Sequence, residues 1–294
     1  MTGAAGQVGR ALVRLGPAEG VEVVGLDRSA LDITDPTAVR EAVARARPDV
    51  IVNAAAYTAV DRAEAEPEVA LRVNRDGARY VAEAAHEAGI PVVHLSTDYV
   101  FDGSKGSPYR PDDPVHPINS YGVSKAAGEA AVRETGALSV ILRTAWVFDG
   151  MGKNFVTTML RLATQRSHLT VVDDQWGHPT AAPDVARAAL AAARRACDGL
   201  TGTLHLGGLP VTTWHGLAEA TVGLLGELAA VPVPPVDPVP TEAFPTAARR
   251  PPRVELDMAT TLSALGLPAP DWRLSLREAV TKALQYGLDR LIPL

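Results

Sequence analysis

Apolar residues recur along this chain in two alternating rhythms. Short β-branched runs span Val21–Asp27, Pro48–Asn53, Pro91–Thr97 and Ser139–Arg143, and most end in polar residues or acids. Between them, residues 36–46, residues 61–88 (with Asn74 inside) and a stretch opening at Tyr121 space their apolar positions three and four apart. That is the spacing of helices packed on one face. Strands alternating with helices predict an α/β fold with a parallel, doubly wound sheet. Ligands bind such sheets beyond the carboxyl ends of the strands, so strand-end residues become the first candidates for a site.

After Phe148 the rhythm changes. Residues 155–166 and 183–197 read as helices, Leu169 opens a strand that runs into a polar loop through Thr180, and Gly202–Gly207 is another short strand. Thr213 and Trp214 cap a helix reaching about Leu228, while the Pro-rich residues 232–252, like residues 102–118, read as loop. The division this suggests is a Rossmann-type domain of residues 1–148 with roughly 178–208. A smaller substrate-binding lobe would hold roughly residues 149–177 and 209–294.

Residues 2–9 carry glycines at Gly3, Gly6 and Gly9 just before a helical pattern. Such a loop turns tightly, lets a pyrophosphate approach the backbone, and aims a helix N-terminus at it. Gln7 and Val8 lie inside the loop. Asp27 ends the next strand 18 residues after Gly9, where a carboxylate takes the ribose hydroxyls of a dinucleotide. Arg28 beside it suits a 2′-phosphate instead, so NADH and NADPH both stay open. Asp32 and Ile33 are placed to flank an adenine, and the small residues after Asn53 let a cofactor lie close. Only Met1 and Thr2 precede Gly3, so the expectation is that the natural chain begins upstream with an apolar strand.

Tyr121 and Lys125 sit four apart, on one face if they open a helix. An ammonium beside a phenol favours phenolate, which predicts a tyrosine of lowered pKa able to trade protons near neutrality. The same spacing also arises on solvated helix faces. Thr97, at the end of its strand, could hold a substrate oxygen beside that phenol.

Composition narrows the remaining classes. A net charge of −6 over 294 residues offers no basic field for nucleic acid or an anionic membrane. No apolar run approaches a bilayer span. Cys197 is the lone cysteine, which excludes a disulfide framework and reads as a buried, inert thiol in a cytoplasmic protein. The seven histidines show no ligand spacing, and His178 reads as a loop residue. Asp173 and Asp174 read as a solvated turn, and no metal site is expected.

Gly3, Gly6, Gly9, Asp27, Thr97, Tyr121 and Lys125 together resemble the extended short-chain dehydrogenase/reductases. Longer strings narrow this: NAAAYTAVDRAEAEP from Asn53, HLSTDYVFDG from His94, NFVTTMLRLA from Asn154, DDQWGHPT from Asp173 and FPTAARRP from Phe244. They resemble the dTDP-4-dehydrorhamnose reductase family across nearly the whole chain. The resemblance implies hydride transfer from NAD(P)H to the 4-keto carbon of dTDP-4-dehydro-6-deoxy-L-mannose. It places Gly6, Gln7 and Val8 on the cofactor pyrophosphate, Asp27, Asp32 and Ile33 on its adenosine half, and Ala56, Tyr57 and Thr58 along the dinucleotide. Tyr121 becomes the proton donor and Lys125 the partner of the nicotinamide ribose. Thr97, Asp98 and Trp146 would hold the sugar nucleotide, with Val60 and Tyr99 in the same pocket. Arg249 and Arg250 suit a diphosphate.

Departures from the family pattern set further expectations. The resemblance implies that some relatives bind magnesium between subunits through one carboxylate after the Pro-Thr motif and others near the C-terminus; Pro183 stands where the first would fall, so a monomer or weak homodimer without metal is expected. Arg253 and Val254 replace a usual Asn-Ser pair, which would alter either substrate contacts or the local loop. Another dTDP-4-keto-6-deoxysugar as substrate, or a non-catalytic regulatory subunit of the same fold, are the alternatives. A dehydratase lacks its acid/base pair, because Asp98 is followed by Tyr99.

Overall fold

A computed structural model describes residues 1–287. Four parallel strands form the sheet in the order Ile51–Asn53, Val92–Thr97, Ser139–Thr144 and Gly202–Leu206. Their registers pair Asn53 with His94, Thr97 with Thr144, and Thr144 with Leu206. Beyond Ile51–Asn53 the chain start continues the sheet, with Thr2 bridging Asn53 on one side and Leu26 on the other. The order reverses there, which is the switch point where doubly wound sheets open a crevice.

Val21–Asp27 departs from its expectation. It forms no ladder and bridges only at Leu26, to Thr2. A ladder needs a partner at each residue. Val24 is accordingly 48% exposed.

Helix Gln7–Leu15 packs on Ala182–Cys197, and their Ala, Leu and Val side chains join Val52, Val93, Val140 and Leu142 in one core. Residues 61–88 are not one helix. They break into Val60–Ala65, Pro67–Leu71, a wide π-turn over Arg72–Gly77, and Ala78–Glu87. Pro67 cannot donate into a continuing helix, and the π-turn contains Asn74. Helix Ser120–Glu134 begins where the Asn119 side chain accepts from Gly122 N at 2.7 Å.

A second core joins Phe148 of the short strand Val147–Phe148 to Leu160, Leu217, Trp272 and Leu276 of helices Phe155–Gln165, Trp214–Ala229 and Trp272–Tyr286. The Pro-rich loop is partly strand: Val236–Val239 pairs in parallel with Leu169–Val172. Prolines hid it, since an edge strand tolerates their missing N–H. Among the described residues no helix is long and apolar enough to cross a membrane.

Candidate active site

An open cleft of about 950 Å³ runs along the strand ends at the switch point. Gly3, Gly6, Gln7, Val8 and Gly9 form one end of it. A Cβ on Gly9 would stand 2.1 Å from the Gly3 carbonyl oxygen, so the turn closes only without a side chain there. Arg28, Leu31, Asp32 and Ile33 line the far end, and Ala54 to Val60 the wall. Thr97, Asp98, Tyr99, Tyr121 and Lys125 lie on the opposite side, with Trp146 and Arg250 beside them.

Asn74 joins the two walls. Its amide oxygen accepts from Tyr57 N at 2.8 Å, and its nitrogen donates to Tyr57 O at 3.0 Å and Ser124 Oγ at 2.9 Å. These bonds tie the cofactor-side turn to the Tyr121 helix. Gly122 brings that helix onto the turn after Thr97, because a Cβ there would meet Tyr99 O at 2.2 Å.

The electrostatics differ from the sequence expectation. Burial, not Lys125, dominates the Tyr121 phenol and pushes it up to about 12, although the nearby Thr97 hydroxyl pulls the other way. Lys125 donates to Leu95 O at 2.7 Å and faces His94 Nε2 at 3.5 Å, and burial lowers it to about 8. So Tyr121 is held as a protonated phenol, the state required of an acid. Asp98, fully buried, is raised to about 7 by desolvation while its Oδ1 accepts from Thr97 Oγ1 at 3.0 Å. Tyr99 is raised by the same burial and meets Tyr121 edge-on, ring centres 6.0 Å apart.

Several expected residues lie elsewhere. Asp27 does not line the cleft; its Oδ1 accepts from Ser29 N, Ser29 Oγ and Ala30 N in a local turn, which lowers its pKa. Asp32 makes a similar turn with Thr34 yet still faces the cleft. Arg249 is exposed and contributes only its carbonyl, to Asn119 Nδ2. Arg250 alone reaches the cleft, where it pairs with Asp61 at 2.7 Å. Arg253 lies over the Trp176 ring and pairs with Glu255, and Val254 is buried, so that departure reshapes the loop and not the cleft.

Cys197 is exposed, with a thiol raised by desolvation and by Asp49 and Asp198. His178 sits in a loop but is buried, its Nδ1 at 2.9 Å from Gly208 O and its Nε2 accepting from Leu256 N. Asp173 and Asp174 accept from Thr213 and Thr241 and so tie distant loops together.

The sequence did not single out Arg10, Thr144, Lys153, Asn154, Phe155 and Trp214, which also line the cleft. Trp146, at φ 43°, stacks on Trp214 with centres 3.7 Å apart. Asn154 caps its helix with Thr157 in a capping box, a signal legible in its Asn-x-x-Thr spacing. Two cleft atoms, Gln7 Oε1 and Thr144 Oγ1, are buried without a partner. Such atoms require a ligand or water to pair them. Together with the glycine cradle, they make this cleft fit a hydroxyl-rich dinucleotide beside a second polar ligand.

Residues 1–285 match the family model of the RmlD substrate binding domain. The chain is 44% identical to a dTDP-4-dehydrorhamnose reductase of Burkholderia thailandensis over 93% of this chain and 94% of that protein. A dTDP-4-dehydrorhamnose reductase structure from Clostridium acetobutylicum superposes with a TM-score of 0.88 at 36% identity, covering 97% of this chain and 98% of that one. The Bacillus anthracis reductase, solved in complex with NADP, gives 0.86 at 35% identity, over 96% and 97% of the two chains.

Proposed function

Because the chain belongs to the dTDP-4-dehydrorhamnose reductase family, we propose that it reduces the 4-keto group of dTDP-4-dehydro-6-deoxy-L-mannose to dTDP-L-rhamnose. The observation that carries this reading is the meeting of Thr97, Tyr121 and Lys125 with the Gly3–Gly9 cradle in one cleft. NAD(P)H, held by Gly3, Gly6, Gln7, Val8 and Gly9 and by Ala56, Tyr57 and Thr58, supplies the hydride. As negative charge grows on the sugar O4, the Tyr121 phenol gives it a proton. The Thr97 hydroxyl, which donates to Asp98 Oδ1 in the structure, turns to donate to the same oxygen.

Lys125 holds the nicotinamide ribose beside Tyr121. Asp98, Trp146, Val60, Tyr99 and Arg250 hold the sugar nucleotide, the lobe of roughly 149–177 and 209–294 closing over it. With Asp27 engaged in its own turn and Arg28 facing the cleft, the adenosine end suits the 2′-phosphate of NADPH. The enzyme works in the cytoplasm as a monomer or weak homodimer.

Incubation with dTDP-4-dehydro-6-deoxy-L-mannose and NADPH tests the reading, with the product identified by NMR. A new 4-hydroxyl and matching loss of nicotinamide absorbance are expected. Cofactor binding without consumption would reject this substrate in favour of another dTDP-4-keto-6-deoxysugar or a non-catalytic role.

A further inference from the structure

Behind Lys125 runs a chain of three buried polar side chains that the reaction above does not use. Thr2 Oγ1 donates to Asn53 Oδ1 at 2.7 Å, and Asn53 Nδ2 lies 3.1 Å from His94 Nδ1. His94 Nε2 in turn lies 3.5 Å from Lys125 Nζ. Relative exposures are 5% for Thr2, 1% for Asn53, 1% for His94 and 2% for Lys125, so water cannot substitute for a missing partner.

The direction of each bond follows from counting donors. Thr2 Oγ1 accepts from Ala55 N at 3.3 Å; with the amide reversed its one buried proton would face another donor, so it gives that proton to Asn53 Oδ1. That turns the Asn53 amide nitrogen, which can only donate, toward His94 Nδ1. His94 is neutral, its pKa lowered by burial and by the charges of Lys125 and Arg133. A neutral imidazole that accepts at Nδ1 carries its proton on Nε2. The Nε2–H therefore points at Lys125 Nζ. An ammonium has three donors and no acceptor, so it meets this N–H as donor against donor, whereas a neutral amine accepts from it.

We propose that the Thr2–Asn53–His94 chain sets the proton affinity of Lys125 by fixing the His94 ring proton on Nε2. His94 is thus a positioning residue for the reaction, acting on the amine and not on substrate or cofactor. Other groups around Lys125 act independently. Glu129, one turn along the same helix, favours the ammonium, burial disfavours it, and Tyr121 and Asp98 lie on the cleft side. The chain lets Lys125 release and regain a proton near neutrality next to Tyr121.

Thr2→Val is the sharpest test, since Thr2 never touches Lys125 and the change is isosteric and uncharged. Without the threonine proton the Asn53 amide is free to turn its oxygen to His94, moving the ring proton to Nδ1 and leaving Nε2 to accept from the ammonium. The chain has four lysines, so isotope-labelled lysine, assigned with Lys125→Met, follows the Lys125 titration directly. Nitrogen shifts of labelled histidine report the His94 tautomer in the same samples.

The expected result is a wild-type ring protonated at Nε2, and a Lys125 titration raised by about half a pH unit or more in Thr2→Val. His94→Phe, which removes the opposing donor, raises it likewise. The alkaline limb of the pH–rate profile moves with it. A wild-type ring protonated at Nδ1 would overturn the proposal without any variant. So would a Lys125 titration unchanged in folded Thr2→Val.

Discussion

Two groups of buried charges flank the same strand, Val92–Thr97, and they are built in opposite ways. On one side Glu129 and Arg143, 1% and 2% exposed, form a bidentate pair at 2.8 and 2.7 Å. Ser96 Oγ adds a bond to Glu129 at 2.6 Å and Arg133 another at 3.0 Å. Arg143 spends its remaining donors on Pro111 O and toward His205 Nε2. On the cleft side Asp98 takes one side-chain bond, from Thr97, and Lys125 one carbonyl, while Gln7 and Thr144 leave atoms unpaired.

The pKa values follow the partners. Burial would raise Glu129, yet Arg143, Ser96 and Arg133 together hold it low. Asp98, Tyr121 and Lys125 have too few partners to offset burial, and all three shift toward their neutral forms. Satisfied buried charge builds the fold. Buried charge left short of partners is stored for a ligand.

This contrast breaks most visibly at Glu129. Glu129→Ala strands Arg143 in the core, and destabilisation of about 3–5 kcal/mol is expected from denaturant unfolding.

At Asp98 the sign reverses. Its folded pKa of about 7 lies above the ordinary aspartate value of 3.8, so its contribution to stability is full below the unfolded pKa and fades as pH rises through about 7. The shift of about three units corresponds to on the order of 4 kcal/mol at most. Asp98→Asn should therefore stabilise the protein at about pH 8, and much less at about pH 4, in unfolding followed across pH. A stability gain independent of pH would place the ionised carboxylate outside this account.

The smallest expected effect lies at the adenosine end. Arg28→Ala should raise KM for NADPH about tenfold, near 1.4 kcal/mol, and leave KM for NADH unchanged, as steady-state kinetics with each cofactor would show.

What the sequence made legible was local. The glycine loop, the Tyr121–Lys125 spacing and Thr97 at a strand end all follow from short-range rules, and the cleft joins them as expected. What it hid depends on partners far along the chain. Arg249 and Arg250 are neighbours, yet only Arg250 turns inward, because Asp61 waits there to pair it. Asp27 sits at the expected strand end, but Ser29 and Ala30 take its Oδ1 in a local turn. The expected lowering of the Tyr121 pKa failed because spacing places Lys125 on the right face without showing that the phenol is buried and that the ammonium donates to Leu95 O. Trp214 enters the cleft only by stacking on Trp146, a contact between segments that sequence spacing cannot relate.

The measurement closest to the centre of this account is turnover of Tyr121→Phe with dTDP-4-dehydro-6-deoxy-L-mannose and NADPH. Loss of the phenolic proton should lower kcat by about 10²–10⁴-fold, with folding and cofactor binding retained. A kcat within about tenfold of the wild type, a change of 1.4 kcal/mol or less, would mean that the proton reaches the sugar by another route.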